Sequence, residues 1–404
     1  MHLLLVNQFY PPDVAPTGVY LHDVADAMVR RGHAVTVLCS RRGYGGEGPY
    51  PSETGPDGVR VVRLPACGFG RGRPAGKLLD YATYCVSLMA GLLLVRPRPD
   101  AVLCLTTPPY AGVAVRLAGA FRRWTQLHWV MDVYPDALAA HGFLQPDSCR
   151  YRALAGLARF QYAASRRVTT LGADMARRLS VHTPAGCKVT PAPLWVTQAV
   201  APDEADAAAA LRRERGWEGR LVCLYSGNVG PGHRILDFLE LAVADERTFA
   251  GPPPHIVFCG GGRRMQDVRR FRQAHPNARL EVLDYVPAER LAAHLRSADV
   301  LLAGLEPAWA GCILPSKVQA AMGAGQPLLY VGPADNDMAR WLNASGAGWV
   351  VAPGNAAGMK AAVTEAADPR VRARMGRAGR EYARLHFARE AGTRRLCEWV
   401  EASV

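Results

Sequence analysis

The 404-residue sequence lacks the cysteine patterns that mark metal sites and disulfide frameworks. Its ten cysteines are scattered singly, with no C-x-x-C pair and no Cys/His cluster at zinc spacing. Several lie in apolar runs typical of buried strands, where cysteine behaves as a small hydrophobic side chain: Cys39, Cys104, Cys223 and Cys259. We therefore expect reduced thiols, a cytoplasmic protein and no metal site.

The sequence also lacks a recognisable leader segment. It starts directly with the apolar run at residues 3–6, without a basic region or a cleavage site, so no signal peptide is predicted. Residues 78–95 are long and apolar enough to be weighed as a membrane span, with Asp80 as their single charge. Polar side chains in the first half, and Arg96 and Arg98 directly afterwards, favour a mostly buried helix instead. One face of that helix is available for a peripheral contact with the inner face of a membrane.

Acidic residues are scarce in the first half of the chain. Residues 1–188 hold 22 Lys and Arg against 12 Asp and Glu, whereas residues 189–404 hold 26 against 23. A basic half of this kind favours an anionic partner, namely a phosphorylated acceptor, an acidic membrane surface or nucleic acid. The same excess is also typical of proteins that use arginine on solvated surfaces. The basic residues are not interleaved with aromatic residues on one element, which argues against nucleic acid.

What the sequence does contain is a regular alternation of apolar strand-length runs with helical segments, the pattern of parallel α/β sheets. In the first half the predicted strands lie at 2–7, 34–39, 59–64, 101–105, 126–131 and 167–171. In the second half they lie at 220–225, 255–259, 280–283, 299–303, 327–331 and 348–351. The pattern predicts two doubly wound sheets of the Rossmann type.

The domain junction is predicted at 189–205, where three prolines interrupt the periodicity. This gives a first Rossmann-like domain over 1–192 and a second over 193–385. A C-terminal helix over 386–404 is expected to pack back on the first domain. Residues 41–58, rich in Gly, Pro and charge, are interpreted as a mobile loop.

Ligands of doubly wound sheets bind beyond the carboxyl ends of the strands, so the loops that follow the strands are the candidate sites. After the first strand, Thr17 and Gly18 are predicted to open a helix that ends at Gly32. A glycine there either lets a ligand approach free N–H groups or belongs to an ordinary strand-to-helix turn.

The first strand of the second domain leads into a loop suited to phosphate, because it combines small residues with two potentially cationic side chains. Its candidate ligand residues are Ser226, Gly227, Asn228, Gly230, His233 and Arg234. Gly260 and Gly261 follow the next strand and allow a close approach. Further on, Ser316 is expected to cap a helix that begins at Lys317, which places a hydroxyl, an ammonium and a helix N-terminus together. A plain turn and a solvated lysine are the alternatives.

Two acidic groups invite a functional interpretation. Residues 335–337 read Asp-Asn-Asp, which looks like a metal-binding motif, but their position before a helix favours N-capping. Asp132 and Asp136 lie at a predicted strand end, where a carboxylate accepts hydrogen bonds from sugar hydroxyls, acts as a base, or serves only the turn.

With these residues in place, nearly the whole chain resembles the retaining nucleotide-sugar glycosyltransferases of family 4. It is most similar to the branch found in capsule, O-antigen and colanic-acid gene clusters. The resemblance is carried by NQFYPP at 7–12, RGHAVTV at 31–37, TPP at 107–109, DVYPD at 132–136, SGNVG at 226–230, LPSK at 314–317 and AGQP at 324–327. It implies the GT-B fold, with two Rossmann-like domains that face a central cleft.

The resemblance also implies a division of roles. The first domain binds a hydroxyl acceptor, such as a glycan, a lipid-linked intermediate or a small natural product, through Thr17, Gly18, Tyr134 and Asp136. The second binds a nucleotide-sugar, with UDP-sugar preferred, as a co-substrate and without a further cofactor or metal. Its donor residues add Glu306, Gly311, Pro315, Ser316 and Gln319 to the loop residues above. Asp132, Arg234 and Lys317 are the catalytic candidates, in a same-face attack that keeps the anomeric configuration.

The chain departs from the family pattern at two glutamates spaced eight residues apart. Cys312 and Ala320 stand at their positions, so ribose recognition must use other groups, and Glu306 is a substitute carboxylate. Met131 likewise replaces a histidine that many members carry before the residue matching Asp132. Two other functions stay open: a nucleotide-sugar 2-epimerase on a related fold and a catalytically silent partner subunit.

Overall fold

The computed structural model describes residues 1–13, 15–43, 47–55, 58–69, 74–197, 204–249 and 251–404. The chain divides into two compact units. The first comprises residues 1–193 and 390–404, and the second comprises residues 194–389. The sequence placed the corresponding divisions after residues 192 and 385.

The first unit is built on an eight-stranded sheet in the order β3-β4-β2-β1-β5-β6-β7-β8. All neighbouring strands are parallel except β3 and β4. The strands are β1 His2–Val6, β2 Ala34–Ser40, β3 Glu53–Thr54, β4 Arg60–Leu64, β5 Ala101–Leu105, β6 Thr125–Val130, β7 Ser165–Thr170 and β8 Val189–Pro191. The helices are α1 Pro16–Arg30, α2 Pro74–Leu94, α3 Ala111–Arg122, α4 Asp136–Ala140, α5 Cys149–Tyr162 and α6 Ala173–Ser180.

The second unit carries a six-stranded, wholly parallel sheet in the order β11-β10-β9-β12-β13-β14. Its strands are β9 Leu221–Ser226, β10 Pro254–Cys259, β11 Leu280–Leu283, β12 Val300–Gly304, β13 Leu328–Val331 and β14 Gly348–Val351. Its helices are α7 Glu204–Glu214, α8 Leu236–Val243, α9 Met265–Ala274, α10 Leu291–Arg296, α11 Lys317–Ala324, α12 Asp337–Ser345, α13 Ala356–Ala366 and α14 Pro369–His386.

Two short strands were missed by the sequence prediction. The strand β3 pairs antiparallel with β4 inside the segment interpreted as a loop, of which residues 44–46 and 56–57 lie outside the described residues. The strand β8 lies in the predicted junction, of which residues 198–203 lie outside the described residues. Strands of two and three residues are too short to show a period in the sequence.

Two helices in succession form the C-terminal part of the chain. The helix α14 ends at His386, with the buried Phe387 as its C-cap, and α15 Arg389–Glu401 follows. Glu401 on α15 forms a double hydrogen bond with Arg31, at 2.8 and 2.6 Å, and lies 2.8 Å from His33. The bond from Arg31 lowers the pKa of Glu401 to about 2. These contacts tie α15 to the end of α1 within the first unit.

The helix α2 covers the region weighed as a membrane span. Its inner face adds Tyr84, Leu88 and Leu92 to a core shared with α3 and the sheet. Its outer face is exposed, with Val86 and Leu94 pointing away from the core, so the helix is not buried as a whole. None of the helices in the described part of the chain has the length and apolar character that a bilayer crossing requires.

Candidate functional site

Three loops meet at the carboxyl ends of neighbouring strands in the second unit. They follow β9, β10 and β12, which lie side by side in the sheet. Parallel strands point their carboxyl ends to the same edge, so their loops form one surface there. Most of the predicted donor residues lie in these three loops.

Lys317 contacts the loop after β9, as the sequence suggested. Its Nζ donates to the backbone carbonyls of Ser226 at 2.9 Å and Asn228 at 3.4 Å, and lies 4.7 Å from the centre of the Tyr225 ring. A Cβ at Gly227 would stand 3.2 Å from the ammonium, and φ at Gly227 is 105°, so only glycine fits there without strain. Burial lowers the pKa of Lys317 to about 8, so the side chain is mostly charged at neutral pH.

Ser316 does not act as predicted. It occupies the N-cap position of α11, but its side chain makes no capping hydrogen bond. Its backbone adopts φ −74° and ψ 7°, whereas an N-cap side chain reaches the helix N–H groups from an extended conformation.

His233 is not the cation that the sequence suggested. The residue is half-buried, and desolvation of its ring lowers its pKa to about 3, so it is neutral at pH 7. Its Nδ1 lies 2.6 Å from the Tyr225 hydroxyl and accepts a hydrogen bond from the Gly230 N–H at 3.4 Å. His233 therefore shapes the loop, and the positive charge comes from its neighbours.

Glu306 lies between two guanidinium groups. Arg234 donates to its Oε2 at 3.5 Å and Arg264 to its Oε1 at 3.1 Å. Arg234 also donates to Asp237 at 2.5 Å, which is the main reason that its pKa is raised. Arg264 also donates to the backbone carbonyl of His233 at 2.6 Å.

Sequence reasoning missed Arg264. The available signal was its position in the loop after β10, two residues beyond Gly262. The structure therefore brings Lys317, Arg234 and Arg264 to the loops at one sheet edge.

The glycines after β10 have a packing role. A Cβ at Gly260 would stand 2.5 Å from the Gly227 carbonyl oxygen, and one at Gly261 would stand 2.8 Å from the Tyr285 ring. The N–H of Val229 donates to the Gly261 carbonyl at 2.7 Å. Small residues here let the loops after β9 and β10 lie against each other.

The remaining donor candidates differ in their surroundings. Gly311 has φ 73° and is buried, and Pro315 is half-buried. Gln319 is buried on α11, and its Oε1 has no hydrogen-bond partner within the described residues. Neither Cys312, which is buried, nor the half-buried Ala320 supplies a carboxylate.

In the first unit, Asp132 follows β6 at the carboxyl end of the sheet. The N–H groups of Met131 and Asp132 donate to Thr106 Oγ1 at 3.0 and 3.2 Å, which fixes this turn to the end of β5. The Tyr134 ring lies 6.3 Å from the ring of Tyr110, a non-glycine residue with φ 63°. Asp132 and Tyr134 therefore lie close to each other along one loop.

Asp136 has a different environment from Asp132. It is buried in the first turn of α4, where its carboxylate accepts hydrogen bonds from His182 at 2.5 Å and Arg178 at 3.1 Å. Burial alone would raise the pKa of Asp136, but the bonds from His182 and Arg178 outweigh it and lower the pKa. These contacts give the carboxylate a structural task.

The helix predicted to open at Gly18 begins two residues earlier, at Pro16. The Gly18 N–H is not free, because it donates to the Ala15 carbonyl at 2.9 Å. A Cβ at Gly18 would stand 3.0 Å from the carbonyl oxygen of Phe9, so close packing explains the glycine. Thr17 lies beside it, and its Oγ1 accepts a hydrogen bond from Asn7 at 3.2 Å. At the other end of the helix, Gly32 adopts φ 84°, as predicted for a residue that ends a helix.

Residues 335–337 serve as a helix cap. Asn336 is the N-cap of α12, and its side chain accepts a hydrogen bond from the Ala339 N–H at 2.9 Å. Asp337 pairs with Arg340 at 2.7 Å. Within the described residues, no group of three or more His, Cys, Asp or Glu side chains is arranged to hold a metal ion.

Comparisons with known proteins give both a sequence match and similar solved structures. Residues 17–195 match the family model described as a glycosyl transferase 4-like domain. A curated relative, "Probable glycosyltransferase WbjE" of Pseudomonas aeruginosa, is 28% identical over 263 residues, a match that spans 63% of each chain.

Among solved structures, sucrose-phosphate synthase of Thermosynechococcus elongatus superposes with a TM-score of 0.75 at 14% identity, covering 100% of this chain and 98% of the other. HepE of Anabaena in complex with UDP-glucose superposes with a TM-score of 0.70 at 13% identity, covering 100% of both chains. Together with the two Rossmann-like sheets, the solved structures show the GT-B fold, and the family model and the curated relative make the chain similar to the glycosyltransferases of family 4.

Proposed function

We propose that the protein is a retaining glycosyltransferase that uses a nucleotide diphosphate sugar, with a UDP-sugar as the first candidate. The observation that carries this proposal is the convergence of Lys317, Arg234 and Arg264 on the loops after β9, β10 and β12. Negative charge builds on the diphosphate as the glycosidic bond to the leaving group breaks. Cationic side chains already fixed beside the diphosphate stabilise that charge without having to move. In other transferases a metal ion stabilises the same charge. The similarity in fold to HepE, solved with UDP-glucose, supports this class of donor.

In the proposed reaction the acceptor hydroxyl attacks the sugar from the side that the diphosphate leaves. The leaving phosphate oxygen takes the hydroxyl proton, the new glycosidic bond forms, and the anomeric configuration is kept. Lys317 and Arg234 hold the diphosphate. Asp132 orients the acceptor or donor hydroxyls, and no protein nucleophile is required.

The nucleoside end of this site differs from the family pattern, since Cys312 and Ala320 replace its glutamates. The Glu306 carboxylate is already shared by two arginines, which makes it a poor ribose ligand in this arrangement. Buried Gln319 instead has an Oε1 without a partner in the described part of the chain. We propose that the ribose is recognised by groups other than a carboxylate.

The acceptor we propose is a hydroxyl on a glycan, a lipid-linked intermediate or a small natural product. All ten cysteines carry free thiols, which supports a reducing compartment. We place the reaction in the cytoplasm, peripheral to the inner face of the membrane.

The decisive experiment is a panel of nucleotide-sugars tested for thermal stabilisation and for slow donor hydrolysis with the metal chelator EDTA present. A donor that binds the folded state raises Tm by mass action. The product's anomeric configuration is then read by NMR. Absence of any response to nucleotides and nucleotide-sugars would overturn the proposal, and inversion would overturn the retaining mechanism. Interconversion of free nucleotide-sugars without an acceptor would favour the epimerase, and nucleotide binding without turnover on any acceptor would favour a silent subunit.

A further inference from the structure

The outward face of α2 is exposed and apolar. Leu78, Val86 and Leu94 are 69%, 73% and 75% exposed. Ala82 and Ala90, at the same helical spacing between them, are exposed as well. Residues four apart lie on one side of a helix, so these side chains form a single stripe opposite the buried face. Every exposed side chain described on α2 is apolar.

The neighbouring helix extends this stripe. The helices α2 and α3 pack together over the same core, which places their outward faces on the same side of the sheet. On α3, Leu117 is 44% and Phe121 is 81% exposed. We name Leu78, Val86, Leu94, Leu117 and Phe121 the α2–α3 apolar face.

Arginines gather where α2 and α3 end. Arg122 donates to the Val95 carbonyl at 2.6 Å, and Arg98 donates to the Arg123 carbonyl at 3.0 Å, so the two helix ends lie side by side. Arg96, Arg98 and Arg123 are exposed. Positive charge therefore borders the end of the apolar face that carries Leu94 and Phe121.

An exposed surface of this kind needs a partner, because contiguous apolar patches are kept small on proteins that contact only water. Apolar side chains bordered by arginines match the interface of a bilayer with anionic lipids. There the apolar side chains enter between the headgroups, and the arginines contact the phosphates. We propose that the α2–α3 apolar face binds the surface of an anionic membrane. The inference rests on the proposed function for its purpose, since such docking would hold the protein beside a lipid-linked acceptor. Its test uses no sugar transfer, so the two proposals fail separately.

The test is flotation of the full-length protein with vesicles. Vesicles of phosphatidylcholine and phosphatidylglycerol in equal amounts should bind the protein, and vesicles of phosphatidylcholine alone should bind it much less. Raised salt should weaken, but not abolish, the binding, because salt screens only the charged contribution. Equal binding to both vesicle types, or none to either, overturns the proposal.

The decisive variant is Val86→Glu, which places a charge in the middle of the face. We expect a drop of at least about tenfold in the partition coefficient, because a buried apolar side chain is lost and a carboxylate must approach anionic lipid. Val181→Glu is the matched control, as Val181 is 64% exposed and lies at the end of α6 near the opposite edge of the sheet. Both variants should keep the wild-type Tm and the same donor binding. Equal loss in the two variants contradicts the assignment of this face.

A second copy of the chain is the competing occupant. Sedimentation velocity over a range of protein concentrations distinguishes it. If the protein forms a dimer that Val86→Glu disrupts, and if it does not bind lipid, the membrane proposal is overturned in favour of self-association. The membrane proposal is supported if Val86→Glu leaves the oligomeric state unchanged and impairs binding to anionic vesicles.

Discussion

The loops at the carboxyl ends of the two sheets hold charge in opposite ways. In the second unit, Arg234 and Arg264 pair with three carboxylates, Glu306, Asp237 and Asp267. Lys317, in contrast, is held by backbone carbonyls and a ring face, and no carboxylate pairs with it among the described residues. In the first unit, by contrast, the Asp136 carboxylate is enclosed by the guanidinium of Arg178 and the ring of His182.

This difference is the one we expect between a binding site and a structural contact. A charged oxygen is a stronger partner for an ammonium than a neutral carbonyl, so a phosphate would displace the bonds that now hold Lys317. A carboxylate that is already paired and buried has little to gain from a ligand, and removing a partner is costly.

The largest effect is expected from Lys317→Ala. With donor saturating, kcat should fall by about a hundredfold to a thousandfold, because a fixed cation no longer stabilises the leaving diphosphate. The measurement is initial turnover, with Lys360→Ala on α13 of the same unit as the control. Near-normal turnover in both Lys317→Ala and Arg234→Ala would remove the basis for the proposed donor site.

Arg264→Ala should come next, with kcat/KM for the donor lowered by about tenfold to a hundredfold. The variant removes one cation and one of the two guanidinium groups that hold Glu306. Arg263→Ala is a closely matched control, because Arg263 is the neighbouring residue and is exposed. If both variants behave alike, the arginine after β10 contributes only general surface charge.

The pH dependence of donor binding sharpens the role of Lys317. Its pKa in the ligand-free protein is lowered to about 8, so the ammonium is charged below this value and neutral above it. We expect kcat/KM for the donor to fall by about tenfold at pH 9 relative to its plateau, because this quantity reports ionisation in the free enzyme. Lys317→Arg, whose guanidinium stays charged, should retain partial activity and lose this inflection. An unchanged profile in that variant assigns the ionisation to another group.

The sequence was sufficient to predict most of the architecture, since alternating apolar runs with helical segments dictate parallel sheets. All six strands of the second sheet were predicted to within two residues of their observed bounds. It was insufficient for β3 and β8, whose pairing depends on the neighbouring strand and not on a local period.

The candidate site was predicted in part for the same physical reason. Lys317 and the loop after β9 could be placed together, because strand ends of one sheet converge. The neutral state of His233 could not be predicted, because it depends on desolvation of the ring beside Tyr225. The sequence indicates Tyr225 only as part of a strand. The partners of Asp136 likewise come from α6 and the turn after it, more than 40 residues away in the chain.

Asp132→Asn and Asp136→Asn distinguish the two carboxylates of the first unit, and the effect on stability is the smallest expected here. Asp136→Asn should lower the free energy of unfolding by about 2 kcal/mol, because a buried hydrogen bond to a charged group is lost, while kcat changes little. Asp132→Asn should leave stability unchanged and lower kcat. Urea denaturation and initial rates measure the two effects, with Asp147→Asn, an exposed position, as the control.

The folded-state pKa of Asp136 lies below its unfolded value, so its stabilisation is present above a pH of about 4 and is lost as the pH falls further. The stabilities of wild type and Asp136→Asn should therefore converge in acid. If Asp136→Asn instead raises the KM for the acceptor at unchanged stability, Asp136 is the acceptor ligand that the family resemblance implies, and the contrast between the two sheets disappears.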